Sequence, residues 1–271
     1  MPEPALPPLR DVIKRYGLSA RKQFGQHFLL DQNLSDRIAR TAGDLTGCDV
    51  IEIGPGPGGL TRSLLNAGSR RVIAVEKDPR CVEALNELAH GYPDRLEIVA
   101  ADATKLVYSE LSAGPRRLVS NLPYNVSTVI LVEALKQSAS LESMTLMFQR
   151  EVADRLTASP GTKAYGRLSV LTQWLCATEL AFNVDARAFT PPPKVTSTVV
   201  TLTPHAEPRF PVRFEAIETI TAAAFGQRRK MLRASLKSLG LDPEAHGIDP
   251  TRRGETLTVG EFCRLANALD G

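Results

Sequence analysis

Six consecutive residues constrain this chain more than any others. Gly54-Pro55-Gly56-Pro57-Gly58-Gly59 lies between the apolar stretch Val50-Ile51-Glu52-Ile53 and a helix-forming segment that runs to about Gly68. Glycine costs about 1 kcal/mol and proline about 3 kcal/mol in a helix interior. Proline also cannot donate to a strand ladder. Neither helix nor strand can continue through the cluster, so the chain must turn there from a strand into a helix, as a βαβ unit begins. Gly68 can close that helix with positive φ.

The same alternation continues along the chain. Further strands are expected at 72–75, 96–99, 117–120 and 144–148, and further helices at 31–42, 79–91, 126–138 and from about 150. Asp31 suits an N-cap and Pro79 a first helical turn. A β-then-α succession implies a doubly wound, mostly parallel α/β sheet, with ligands outside the carboxyl ends of its strands. Glu76, Asp102 and Asn121 each follow an expected strand and so gather at that edge. Stretches 180–184 and 195–202 alternate like strands around Pro191-Pro192-Pro193, which predicts an antiparallel hairpin at the sheet edge. Beyond Pro211 the sequence reads helical at 214–226, 228–239 and 258–269. The expected organisation is an arm (1–30), an α/β domain (31–205) and a small all-α domain (206–271).

The glycine loop fits G-x-G-x-x-G at 54, 56 and 59 and equally G-x-G-x-G at 54, 56 and 58, with Glu76 about twenty residues on. Dinucleotide-binding folds share this pattern, and two details separate the ligands. A pyrophosphate wants backbone N–H donors, and Pro55 and Pro57 have none. Glu52, two residues before the first glycine, suits a cationic ligand. Both favour S-adenosylmethionine, which carries no phosphate and bears a sulfonium, in a Rossmann-like class I methyltransferase domain. Gly54 and Gly56 then permit close approach. Glu76 accepts from vicinal ribose hydroxyls, and Asp102, with Ala103 beside it, receives the cofactor's adenine amine. For both acids the plainer alternative is a carboxylate capping the next helix.

Asn121-Leu122-Pro123-Tyr124 falls at the same edge. An adenine N6 amine is a poor nucleophile, because its lone pair is delocalised into the ring. Two acceptors aimed at its N–H groups localise that pair. The Asn121 side-chain oxygen and the Leu122 carbonyl are the candidates, with Pro123 fixing the turn. Tyr124 can stack on the base, worth about 1–3 kcal/mol. Asn does not titrate, so catalysis rests on positioning and electrostatics rather than on a general base. Asn121 also borders the cofactor. The plainer reading of the tetrapeptide is a simple turn.

With these motifs in hand the chain resembles the bacterial small-subunit rRNA adenine dimethyltransferases, the KsgA (RsmA) family, over almost its whole length. The resemblance is carried by Lys22 to Leu29 (KQFGQHFL), Glu52 to Gly56, Asn121 to Tyr124, Phe148 to Val152 (FQREV), Tyr165-Gly166, Phe189-x-Pro-Pro-Pro-Lys194-Val195, and Phe225 to Lys230 (FGQRRK). It implies N6,N6-dimethylation of two adjacent adenines in a hairpin near the 3′ end of 16S rRNA, within an assembling small subunit. It also implies cofactor contacts from Gln26, His27 and Leu29, and a second aromatic wall for the target base from Phe189. The family has Asn where His27 stands; a backbone contact survives that change.

The target base must leave its stack, and the remaining affinity comes from phosphates. A net charge of +3 does not by itself establish nucleic-acid binding. The clustering of Arg228, Arg229, Lys230, Arg233 and Lys237 points to it more directly, at what reads as a helix start where cations oppose the dipole. Lys14, Arg15, Arg21 and Lys22 form a second strip, and Lys194 sits in the proline loop. The four cysteines are scattered, without a C-x-x-C pair, which predicts free thiols and no metal. No uninterrupted apolar run of about 18 residues predicts a membrane span, and Met1 to Leu9 lacks a signal-peptide core, so a cytoplasmic monomer is expected. The competing readings are a large-subunit rRNA adenine methyltransferase of the macrolide-resistance type, a largely non-catalytic ribosome assembly factor, a DNA adenine methyltransferase, and an NAD-dependent dehydrogenase.

Overall fold

The computed structural model describes residues 6–18, 27–227 and 229–269. In chain order its elements are α1 (Leu9–Arg15), β1 (Phe28–Leu29), α2 (Gln32–Thr41), β2 (Asp49–Ile53), α3 (Gly59–Asn66), β3 (Arg71–Glu76), α4 (Pro79–His90), β4 (Leu96–Ala100), α5 (Tyr108–Leu111), β5 (Arg116–Asn121), α6 (Ser127–Lys136) and β6 (Ser143–Gln149). There follow α7 (Arg150–Leu156), α8 (Arg167–Leu175), β7 (Cys176–Val184), β8 (Phe189–Thr190), β9 (Ser197–Pro204), α9 (Phe214–Gly226), α10 (Leu232–Ser235) and α11 (Val259–Asn267). The described residues fall into two compact units, one within Met1–Arg150 and Glu179–Thr203, the other within Glu151–Thr178 and Pro204–Gly271.

The first unit is built on a seven-stranded sheet of order β4-β3-β2-β5-β6-β9-β7. Strands β2 to β6 are parallel, and β9 runs antiparallel to β6. All five residues of β2 are buried, including Asp49 and Glu52, as expected of a parallel strand covered on both faces. From β2 the chain steps outward through β3 and β4, then returns to β5 on the other side. The carboxyl ends of β2 and β5 therefore flank the topological switch point, where such sheets bind ligands. Where the β2–β5 ladder ends, the Ser120 hydroxyl donates to the Ile53 carbonyl at 2.5 Å and holds the two strand tips together.

Local signals account for the helix ends. Asp31 caps α2 by accepting from the Asn33 and Leu34 amides. Asp78 caps α4, with Pro79 in its first turn. Gly68, past the end of α3, has φ 88°. Glu76 and Asn121 are the last residues of their strands rather than the first of the following loops.

The expected edge hairpin differs in one respect. Strand β9 lies between β6 and β7, so only β7 is at the edge. An interior position explains why Val199, Val200 and Leu202 are all fully buried. The N-terminal arm is partly helical: Val12 and Leu18 pack with Phe28, Cys81 and Ala84, and Arg15 and Tyr16 both bond Glu87.

The second unit is helical. Phe225 of α9 stacks on Phe262 of α11, with ring centroids 5.3 Å apart. Trp174 of α8 donates its indole N–H to the Phe210 carbonyl at 2.9 Å. Residues 151–178 belong to this unit, so the boundary expected at 206 divides the sequence too simply: α8 packs against α9 and α11. The expected helix 228–239 is also broken. Leu232 and Arg233 give their amides to the Arg252 and Pro250 carbonyls, and α10 is a single turn followed by a 3₁₀ turn at Lys237–Leu239.

Gly59 opens α3 under the backbone of β1. A Cβ there would lie 2.8 Å from the Leu29 carbonyl oxygen, and backbone cannot yield cheaply. Gly59→Ala is expected to destabilise the protein by about 1–3 kcal/mol, the usual cost of overpacking, as read by denaturant unfolding. A change within 0.5 kcal/mol would contradict this close packing.

Candidate active site

The carboxyl edge of the sheet around the switch point encloses a cavity of about 320 Å³. Its walls come from β1, the glycine loop after β2, the end of β3, the turn after β4 and the segment from Asn121 to Ile130.

The glycine loop carries φ angles of 65°, 56° and 88° at Gly54, Gly56 and Gly58, which L side chains rarely adopt. Three of its amides are spent inside the protein: Gly54 donates to the Val75 carbonyl, Gly56 to Glu76 Oε2 and Gly58 to the Pro55 carbonyl. Pro55 and Pro57 have no N–H to offer. This loop is therefore a poor cradle for a pyrophosphate and a good surface for close packing. A Cβ on Gly54 would sit 3.2 Å from the Pro123 ring, so the tetrapeptide after β5 rests directly on the first glycine.

The acids expected from sequence divide into two kinds. Glu52 is 2% exposed and accepts a 2.6 Å hydrogen bond from the Thr61 hydroxyl. Burial pushes its carboxyl up to about 8; the Thr61 bond opposes the shift and the charge of Glu76 adds to it. Glu76 accepts from the Lys77 and Asp78 amides, each at 2.8 Å, through one oxygen, and from Gly56 at 3.1 Å through the other. Burial raises its carboxyl too, against those backbone bonds. Among the described residues neither acid has a basic partner, so two buried carboxyl groups face one cavity without a cation. A positively charged ligand with hydroxyl donors fits that deficit.

Asp102 is different. One oxygen takes the Thr104 amide and hydroxyl at 3.1 and 2.8 Å, and the other takes Lys77 Nζ at 2.8 Å. Lys77 and Thr104 hold its carboxyl far below the usual range. Asp102 lines the cavity with Ala103, but it is also the turn cap that sequence offered as the plainer alternative.

At the tetrapeptide, the Asn121 side-chain nitrogen donates a long 3.4 Å bond to the His27 carbonyl. With its N–H side engaged there, the amide keeps its oxygen as an acceptor. Leu122 is buried. The Pro123 carbonyl accepts from the Val126 amide and the Tyr124 carbonyl from the Ser127 hydroxyl, which close the turn into α6. The Tyr124 hydroxyl bonds Ser197. Its ring lies against His27, with centroids 5.3 Å apart and planes at 33°. The His27 side chain meets the Pro191 carbonyl through Nδ1 at 2.8 Å. His27 thus touches the tetrapeptide through both its backbone and its ring, and Leu29 also lines the cavity.

Phe189 departs from expectation. It is 2% exposed and packs in the hydrophobic core with Leu29, its partner in the β1–β8 pair. It does not line the cavity; the ring beside Tyr124 is that of His27. Strand pairing draws Phe189 inward, because position 189 faces the core in this register.

Of the residues expected to meet RNA, Lys194, Arg229, Lys230 and Arg233 are exposed. Arg229 and Lys230 follow the carboxyl end of α9 rather than opening a helix, so cations there complement the α9 dipole and have a structural motive too. Arg15 is committed to Glu87 at 2.5 Å. Arg21, Lys22, Gln26 and Arg228 lie outside the described residues.

Sequence reasoning missed Lys77, Ser197 and the apolar lining residues Val126 and Ile130. The last two were legible: they stand four apart at the start of a helix beside the tetrapeptide and share a face. The pairing of Ser197 with Tyr124 spans 73 residues and has no local signal. No three His, Cys, Asp or Glu side chains converge as a metal site among the described residues, and no described helix is long and apolar enough to cross a membrane.

Comparison with known proteins identifies the family. Residues 17–270 match the family model for ribosomal RNA adenine dimethylase. The ribosomal RNA small subunit methyltransferase A of Paramagnetospirillum magneticum is 62% identical, over 98% of this chain and 95% of its own length. Its counterpart from Rhodospirillum rubrum is 56% identical, over 99% and 94%. Among solved structures, a dimethyladenosine transferase from Plasmodium falciparum superposes with a TM-score of 0.74 at 24% identity, covering 90% of this chain and 98% of that one, and shares the fold. The 23S rRNA methyltransferase ErmE gives a TM-score of 0.67 at 30% identity, covering 90% and 100%. A cavity that joins a glycine loop to an Asn-Leu-Pro-Tyr turn, in a chain matched to this model over nearly its whole length, makes the protein a member of the ribosomal RNA adenine dimethylase family and an rRNA adenine dimethyltransferase.

Proposed function

We propose that this chain transfers methyl groups from S-adenosylmethionine to the N6 amines of two adjacent adenines in a hairpin near the 3′ end of 16S rRNA, within an assembling small ribosomal subunit. The observation that carries this reading is the convergence of the glycine loop and the Asn121–Tyr124 turn on one cavity at the switch point. The small-subunit assignment is supported by relatives of that name at 62% and 56% identity, against 30% for the large-subunit enzyme ErmE.

When bound, the cofactor supplies an activated methyl group on a cationic sulfur. Glu52 offsets positive charge from within the protein, and Glu76 receives the ribose hydroxyls. Gly54 and Gly56 allow close approach, while His27, Leu29, Asp102 and Ala103 complete the wall. The Asn121 amide, its nitrogen on the His27 carbonyl, turns its oxygen to one N–H of the target amine, and the Leu122 carbonyl takes the other. Both acceptors are neutral and fixed, so they stabilise the amine as it becomes cationic without themselves titrating. Tyr124 stacks on the extruded base. Lys194, Arg229, Lys230 and Arg233 supply phosphate contacts, and residues 206–271 carry most of the RNA surface.

Asn121→Ala is expected to lower turnover by about 10²–10³-fold, the range for losing one such electrostatic contact. Cofactor binding by calorimetry should stay near the wild-type value. The substrate is small-subunit particles lacking the methyl marks, with large-subunit particles and DNA as controls. Wild-type turnover in the variant would refute the mechanism, and activity confined to the large subunit would refute the substrate.

Glu52 gives a pH test. At pH 7 a carboxyl held at about 8 is mostly protonated, whereas a bound cation favours its ionised form. Cofactor binding should therefore release up to one proton at pH 7. Affinity should rise with pH, by at most about tenfold per unit, and level off above 8. Calorimetry in two buffers of different ionisation heat reads this release directly. Glu52→Gln should abolish it; equal release in that variant would assign the proton elsewhere.

A further inference from the structure

A tyrosine needs no hydroxyl to stack on a base, since the ring face does that work and phenylalanine has the same face. In this protein the Tyr124 hydroxyl nevertheless has a specific partner. Ser197 is fully buried, is the first residue of β9 and faces Gln149 in the antiparallel register with β6. Beside it, the Thr196 carbonyl accepts the Arg150 amide at 2.9 Å. Its hydroxyl is therefore mounted on rigid interior strand, where the loop through Pro191–Pro193 rejoins the sheet. Across the cavity edge it bonds the Tyr124 hydroxyl.

Tyr124 is thus held at two further points. Its carbonyl accepts from Ser127, which fixes the main chain. One ring face lies against His27, itself tied to the Pro191 carbonyl. Without the tie at its far end, the ring could swing about its side-chain bonds while keeping its backbone position. The base would then be presented to Asn121 at a varying angle. Small misplacements of this kind carry large rate penalties.

We propose that Ser197 is a positioning residue for methyl transfer, setting the plane of the Tyr124 ring through its hydroxyl and thereby the orientation of the target adenine. This rests on the reading of Tyr124 as the base-stacking face. The plainer view is that Ser197 only satisfies a half-buried hydroxyl. It predicts a loss of stability without a selective loss of turnover.

The test is a double-mutant cycle in the full-length chain, with S-adenosylmethionine and small-subunit particles lacking the methyl marks. Ser197→Ala and Tyr124→Phe should each lower kcat about tenfold with KM and cofactor affinity unchanged. The double variant should be no slower than either single one, and Ser197→Thr should retain most of the rate. Multiplied losses in the double variant, or a fall in cofactor affinity matching the fall in kcat, would overturn the proposal. If Ser197→Ala does not fold, Tyr124→Phe removes the same bond from the other side. Wild-type kcat in that variant, with Tyr124→Ala inactive, would overturn the hydroxyl tie while leaving stacking intact. Full turnover in Tyr124→Ala would instead remove the stacking reading itself.

Discussion

The close packing of the Pro123 ring over Gly54, where a side chain would crowd it, sets the rest of the site. Two loops leave adjacent parallel strands at the switch point, one suited to a cofactor and one to a nucleophile. They meet closely because one of them lacks a side chain at the crossing. A Cβ at position 54 would press on the proline ring. Pro123 in turn stiffens the turn that presents Asn121 and Leu122. Ser120, one residue before, fastens the two strand tips through the Ile53 carbonyl. The relative placement of donor and acceptor thus rests on main chain and short side chains, the least mobile parts available.

Around this crossing the protein keeps charge in an unusual balance. Glu52 and Glu76 are buried at one cavity without basic partners among the described residues, an arrangement that costs free energy in the free protein. That cost has a use. A site unsatisfied alone favours ligands that bring positive charge, and it releases them more readily when the charge is gone. In the reaction proposed above, methyl transfer would remove the positive charge of a sulfonium donor and would leave the two acids again without a cationic partner. The Asn121 amide and the Leu122 carbonyl are the opposite case, both neutral, with a strength that does not vary with pH.

Much of this was legible from residue types and spacing. The glycine–proline cluster forces a strand–turn–helix, and the polar residues ending successive strands fall at one edge whatever the details of register. Asp31, Gly68 and Pro79 mark helix ends by local chemistry alone. Less accessible was whatever depended on partners distant in sequence. Phe189 reads as a loop aromatic until the β1–β8 pairing turns it into the core. The 228–239 segment reads as a helix until the 250–252 carbonyls take its amides. Asp102 lines the cavity and also caps the turn through Thr104, as local sequence allowed, but its pairing with Lys77, 25 residues away, has no local sign. Ser197 gives no local sign at all, because its role depends on a tyrosine in another loop.

The interior place of β9 bears on how the chain acquires its structure during synthesis. Strand β6 is finished by residue 149, yet one flank stays bare until the residues of β9, 197–204, have emerged. In the interval the ribosome produces residues 151–178, which belong to the other unit. A growing polypeptide therefore carries an open β6 border, its backbone N–H and C=O groups from Met144 to Gln149 without the β9 ladder, for close to fifty residues. Exposed strand borders invite pairing with other chains. The order in which the two units are threaded through the sequence makes the late arrival of β9, rather than the early glycine turn, the step that protects the sheet.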